Sequence, residues 1–69
     1  MICRTIEEAL FHAQQTANHL ISLGCNDVWI EYNHEICAVN VYYCPKPAVE
    51  YIELSCIRDV EGNYDCVEL

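Results

Sequence analysis

The spacing of apolar residues changes at Gly24, from the 3.6-residue period of a helix to the two-residue period of a strand, and few folds satisfy both halves. Before it, Ile6, Ala9, Leu10, Ala13, Ala17, Leu20 and Ile21 recur at spacings of three and four. That is one apolar stripe along an amphipathic helix. Thr5-Ile6-Glu7-Glu8 has the form of a capping box: the Thr5 hydroxyl accepts from the amide of residue 8 while Glu8 reaches back to the amide of residue 5. Glu7 and Glu8 also lie at the positive end of the helix dipole. Gly24 supplies the left-handed position that ends the element, so the pattern predicts a helix over 5–23. Alanines in the stripe let a sheet approach closely.

After Gly24, Val28, Ile30 and Tyr32 alternate with Trp29 and Glu31, predicting a strand over 27–32. Asn33-His34 reads as a two-residue turn, because Asn tolerates positive φ. The next strand, 35–44, then places Cys37, Val39 and Val41 on one face, with Ile30 opposite Cys37 and Val28 opposite Val39. Pro45-Lys46-Pro47 breaks the pattern and forces an extended connection. A third strand over 48–60 sets Ile52, Leu54 and Cys56 on one side and Tyr51, Glu53 and Ser55 on the other. Gly62-Asn63 suits a type II′ turn into a short last strand, 64–68, with Cys56 facing Leu69 and Arg58 facing Val67. The expected fold is α+β: one N-terminal helix packed on a four-stranded antiparallel sheet, an α-β-β-β-β meander, in a single compact domain over residues 1–69.

Composition agrees. Hydrophobic content is 54% despite a net charge of −8, a profile opposite to that of a disordered chain. The start, Met-Ile-Cys-Arg-Thr-Ile, lacks the apolar run of a secretory signal. No apolar stretch approaches the roughly 18 residues of a membrane helix. The chain is therefore expected to be a complete cytoplasmic protein that binds no membrane. The six cysteines are expected to be reduced thiols on the same compartment argument, with disulfide formation in an oxidising compartment as the alternative.

Catalytic and metal chemistries find little support. Consecutive cysteines are 22, 12, 7, 12 and 10 positions apart, without the close pairs that structural zinc sites use. His12 and His19 lie two helical turns apart, about 10 Å, too far to share one ion; His34 reads as a turn residue. Cys25 follows the helix C-terminus, where the dipole disfavours a thiolate, and Cys3 precedes the N-terminus but lacks a partner in the pattern. No catalytic residue, cofactor or metal is expected, and no enzyme. Arg4, Lys46 and Arg58 are the only arginines and lysines, too few for a cationic patch, so direct nucleic-acid binding is not expected.

The charge is uneven. Residues 1–24 carry Arg4 against Glu7 and Glu8, a net of −1, whereas residues 25–69 carry nine acids against two bases, a net of −7. With the helix on one face, the outward set includes Trp29, Ile36, Tyr42, Tyr51, Ile57 and Tyr64 among these acids. Carboxylates speed encounter with a cationic partner and aromatic rings supply affinity. Trp29, Glu31, Tyr51 and Glu53 are accordingly the candidate partner-binding residues, and a basic protein, of the nucleic-acid-binding kind, is the expected partner. In size, acidity and layout the chain resembles small phage-encoded inhibitors, including anti-CRISPR proteins and DNA mimics. That resemblance implies an inhibitor or adaptor in a host cytoplasm. The alternatives are a homodimeric structural protein that buries the outward apolar set against a second copy, and a cysteine-based metal or redox module.

Overall fold

The computed structural model describes the backbone of residues 1–46 and 49–69. It has the expected α+β architecture: one helix on an antiparallel sheet, with five strands rather than four. In chain order the elements are β1 (Ile2–Cys3), α1 (Ile6–Ser22), β2 (Val28–Asn33), β3 (Ala38–Lys46), β4 (Val49–Arg58) and β5 (Tyr64–Glu68). The four long strands form a meander, and β1 adds to its far edge, in the order β1-β5-β4-β3-β2. Among the described residues no helix is long and apolar enough to cross a membrane.

The helix begins and ends where its capping chemistry dictates. Thr5 is the extended N-cap, and its Oγ1 accepts from the Glu8 amide at 3.2 Å. The Glu8 carboxylate accepts from the Arg4 amide at 2.8 Å, one residue earlier than a capping box requires. At the other end Gly24 has φ +98°. Its amide donates to the Ile21 carbonyl at 3.0 Å, and the Cys25 amide donates to Leu20 at 3.1 Å. This pair of bonds is a Schellman motif, which satisfies carbonyls that the helix leaves unpaired.

Ala9, Ala13, Ala17 and Leu20 are buried against Val39, Val41, Leu54, Cys56, Tyr64 and Cys66 of the sheet. Small side chains bring the helix axis close to the strands. Contact is then confined to one narrow line, which leaves the outer members of the stripe, Leu10 and Ile21, at 40% and 55% exposure.

Three parts of the sheet differ from the pattern-based expectation. In the β2–β3 hairpin Asn33 pairs with Ala38, so the connection holds four residues rather than two, and Ile30 lies opposite Val41. The Asn33 carboxamide oxygen accepts from the amides of Glu35 and Ile36, and Cys37 takes the positive φ, +49°. An even shift preserves parity, so the faces of β2 and β3 stay as expected, but Cys37 leaves the core face for the turn.

The β4–β5 hairpin is shifted by an odd number. Cys56 pairs with Cys66 and Arg58 with Tyr64, which reverses the facing of β5. Tyr64 and Cys66 point to the helix, whereas Val67 and Leu69, expected inside, are 48% and 70% exposed. The reason lies in the turn. Asp59 Oδ1 accepts from the amides of Glu61 and Asn63, and the Gly62 amide donates to the Asp59 carbonyl at 3.2 Å. Asp59–Gly62 is thus a type I turn with Asp at its first position, and Gly62, at φ +87°, provides the left-handed residue of a three-residue loop.

The third difference is at the prolines. β3 continues through Pro45 to Lys46 instead of breaking there. Its register with β4 shifts between Tyr43 and Lys46, and β2 pairing ends at Tyr43. A strand can hold a proline where no ladder donor is required. The rest of the expected break, Pro47, lies outside the described residues, as does Ala48, where the third strand was expected to begin.

One pair of thiols is oxidised, which corrects the expectation that all six are reduced. Cys56 and Cys66 form a disulfide across β4 and β5, with Cα atoms 3.9 Å apart. The odd register places these two residues directly opposite on the buried face. Cys3, Cys25, Cys37 and Cys44 are free.

Candidate partner-binding face

Only one face of the sheet is covered by the helix. Alternation from the core residues assigns the other face: Ile2 of β1, Trp29 and Glu31 of β2, Asn40 and Tyr42 of β3, Ile52, Ser55 and Ile57 of β4, and Asp65 and Val67 of β5. The register arranges them in rows across the strands. Trp29, Tyr42 and Ile52 form one row; Glu31, Asn40, Ser55 and Val67 form the next; Ala38, Ile57, Asp65 and Ile2 form the third.

Side-chain contacts order this surface. The Trp29 indole stacks on the Tyr42 ring, centroids 5.6 Å apart and planes 15° from parallel, an arrangement that favours ring quadrupoles. Trp29 Nε1 donates to the Glu31 carboxylate at 3.2 Å. In the centre, Ser55 Oγ donates to Asn40 Oδ1 at 2.6 Å, and Asn40 Nδ2 donates to the Tyr42 hydroxyl at 3.4 Å. Asn40 is buried with its carboxamide satisfied by strand neighbours. Around this polar centre Ile2, Ile52, Ile57 and Val67 remain 40–57% exposed. Fixed rings beside half-exposed aliphatic groups constitute a patch with little conformational entropy to lose on binding.

The four candidate residues separate into two pairs. Trp29 and Glu31 lie together on the helix-free face. Tyr51 and Glu53 do not, which corrects the expected facing. The register passes from Val41↔Leu54 to Tyr42↔Ile52, so Glu53 is the extra residue of a β-bulge. That single insertion inverts parity for everything before it. Ile52 turns outward, Tyr51 turns to the helix side beside Tyr43 (centroids 5.6 Å apart), and Glu53 joins His12, His19 and Glu68 along a cleft beside α1. Tyr64, also expected outside, is buried beneath the helix. Ile2, Ile52 and Val67 were missed. An Asp three residues before a Gly was the signal that would have found Val67; nothing local announces the bulge.

The carboxylates are spread around the fold rather than gathered on the helix-free face. Glu31 and Asp65 lie on the helix-free face, Glu35 sits in the β2–β3 connection, Asp59 and Glu61 in the β4–β5 turn, Glu7 and Glu8 in the first turn of α1, and Glu53 and Glu68 on the helix side. Among the described residues no three histidine, cysteine, aspartate or glutamate side chains are grouped closely enough to hold a metal ion.

Three half-buried thiol and phenol groups are held protonated. Burial, and then the carboxylates of Glu50 and Asp27, push the Cys44 thiol above its ordinary value of 9.0. Burial and then Glu53 raise Tyr43 above 10.0, and burial and then Cys37 and Tyr64 raise Tyr32. In each case the folded chain holds a proton that the unfolded chain releases first. The stability they contribute is complete below the ordinary values and is lost as pH rises through the raised ones. The urea midpoint should therefore be level between neutrality and about pH 8.5 and fall above about pH 9. A midpoint that rises over that alkaline range would contradict the assignment.

No protein-family model matches the chain, and no curated protein or solved structure matches it.

Proposed function

We propose that this chain is a binding module that docks its helix-free sheet face on a basic protein. The observation that carries the reading is the composition of that face. Trp29, Tyr42, Ile2, Ile52, Ile57 and Val67 surround a hydrogen-bonded Asn40–Ser55 pair, with Glu31 and Asp65 as its charged residues. The aromatic and aliphatic residues supply affinity by desolvation, and Glu31 and Asp65 on the face, with Glu35, Asp59 and Glu61 in the adjoining turns, favour a cationic partner and raise the encounter rate. A second copy is a poorer occupant, because pairing like faces brings together two chains of net charge −8. Nucleic-acid-binding proteins offer cationic surfaces of this kind, and covering one would inhibit it, in the manner of the small phage-encoded inhibitors that the chain resembles in size and charge. Such a role requires binding and no catalysis.

Two substitutions test the reading. Ile57→Asp puts a charge among the exposed aliphatic side chains of the face, and Glu31→Lys reverses a charge on its edge strand. Pull-downs from host lysate with wild type should retain basic proteins that Ile57→Asp loses. Glu31→Lys should weaken the same capture by about tenfold at low salt and less at high salt. Capture that is identical for wild type and Ile57→Asp would refute the docking face. Light scattering of wild type should give a monomer at micromolar concentration; a dimer that Ile57→Asp dissociates would assign the face to self-association instead.

A further inference from the structure

The sequence pattern leaves Cys3 without a partner, but the fold provides one. β1 pairs with β5 so that Cys3 lies opposite Tyr64, and its sulfur comes to rest 3.8 Å from Sγ of Cys66. Cys66 is already bonded to Cys56. A free thiol therefore stands near van der Waals contact with a disulfide sulfur, and all three residues are buried in one core cluster.

We propose that Cys3, Cys56 and Cys66 form an intramolecular thiol–disulfide exchange centre in which Cys66 is the shared sulfur, bonded to Cys56 in one isomer and to Cys3 in the other. Cys3 loses its proton to solvent base and its thiolate attacks Sγ of Cys66. The Cys3–Cys66 bond forms as the Cys56–Cys66 bond breaks, and Cys56 departs as a thiolate that takes up a proton. One thiol and one disulfide stand on each side, so the step needs neither oxidant nor reductant. Its consequence is mechanical. In the Cys56 isomer, β1 is held to β5 by main-chain bonds, including the Cys66 amide to the Met1 carbonyl at 2.8 Å and the terminal ammonium to the Cys66 carbonyl at 3.1 Å. In the Cys3 isomer, β1 is tied covalently. β1 forms one wall of an apolar groove closed on the other side by Phe11 and His12 of α1, so exchange decides whether that wall is fixed.

The charged and titratable groups facing Cys3 are Glu8 of α1, the terminal ammonium beside β1, and Tyr64 of β5, with the bonded Cys66 sulfur alongside. Burial, and then Glu8, push the Cys3 thiol up, and the ammonium partly offsets them. Exchange should accelerate as pH rises through and beyond the ordinary thiol range.

Loop entropy distinguishes exchange set by the fold from random scrambling. The two bonds close sequence separations of 63 and 10 residues. In an unfolded chain the shorter loop is favoured by about 15-fold. In the folded chain both partners are already in place, so the ratio of Cys3–Cys66 to Cys56–Cys66 should exceed that limit.

The oxidised protein carrying Cys25→Ser, Cys37→Ser and Cys44→Ser, so that Cys56 is the one cysteine left between residues 5 and 58, is incubated at pH 9 with and without concentrated urea, quenched in acid, alkylated and digested with trypsin without reduction. Cleavage after Arg4 and Arg58, with Lys46 protected by Pro47, gives peptides 1–4, 5–58 and 59–69, each with one member of the cluster. The Cys3 isomer links 1–4 to 59–69, and the Cys56 isomer links 5–58 to 59–69. A native ratio of the first to the second above the urea ratio is expected; a native ratio equal to or below it overturns the proposal. As a second measurement, Cys56→Ser treated with oxidised glutathione should form the Cys3–Cys66 bond. A lasting glutathione adduct on Cys66 would overturn it.

Discussion

Leu54→Ala should lower the unfolding free energy by about 2–5 kcal/mol, the range for removing a fully enclosed aliphatic side chain without collapse of its site. Leu54 is 0% exposed in a central strand, with Val41 opposite it on one side and Glu68 on the other. Small domains sit near the lower end of the usual stability range of about 5–15 kcal/mol, so the loss is a large fraction of the total. At about 4–8 °C per kcal/mol for a domain of this size, the thermal midpoint should fall by about 8 °C or more. Ile57→Ala, three positions along the same strand, is the control. Ile57 is 48% exposed on the helix-free face, and its truncation should cost under about 1 kcal/mol. Thermal unfolding followed by circular dichroism compares the two. Equal effects would mean that β4 faces the other way.

Reduction of the Cys56–Cys66 bond should be comparably severe. The bond closes a sequence separation of 10 residues, and removing such a constraint from the unfolded chain corresponds to about 2.5 kcal/mol in the chain-entropy account. A chain this short has little other stability to offset the loss. Dithiothreitol should lower the thermal midpoint of wild type by about 10–20 °C. A Cys56→Ala/Cys66→Ala double variant should start lower and show no response to reductant. A wild-type midpoint that ignores reductant would show that the two sulfurs are not bonded.

These two predictions rest on different kinds of information. The burial of Leu54 follows from alternation within one strand and from the apolar stripe of α1, both local patterns. The disulfide depends on the hairpin register between β4 and β5. That register is set by Asp59 capping a type I turn and by Gly62 adopting φ +87°. Reading Gly62-Asn63 as a two-residue turn moves the pairing by three positions, places Val67 and Leu69 in the core, and hides the opposition of Cys56 and Cys66. A two-residue period makes any odd error in register a reversal of face.

The candidate site divides along the same line. Trp29 and Glu31 were legible because β2 is regular from Val28 to Asn33. Tyr51 and Glu53 were not, because the bulge at Glu53 is a relation between two strands. β3 and β4 lose a common register there, and no residue near position 53 signals it in isolation.

The amino-acid order alone determined the helix and its ends, the existence of the long strands, the faces of β2 and β3, and the acidic balance. Each follows from interactions within a few residues of chain: capping, periodicity and side-chain chemistry. Tertiary structure decided which surface stayed bare, where the bulge fell, how β1 joined β5, and which cysteine sulfurs met. Those outcomes depend on pairing between segments far apart in the chain, and the free energy that selects a pairing comes from the packed core as a whole.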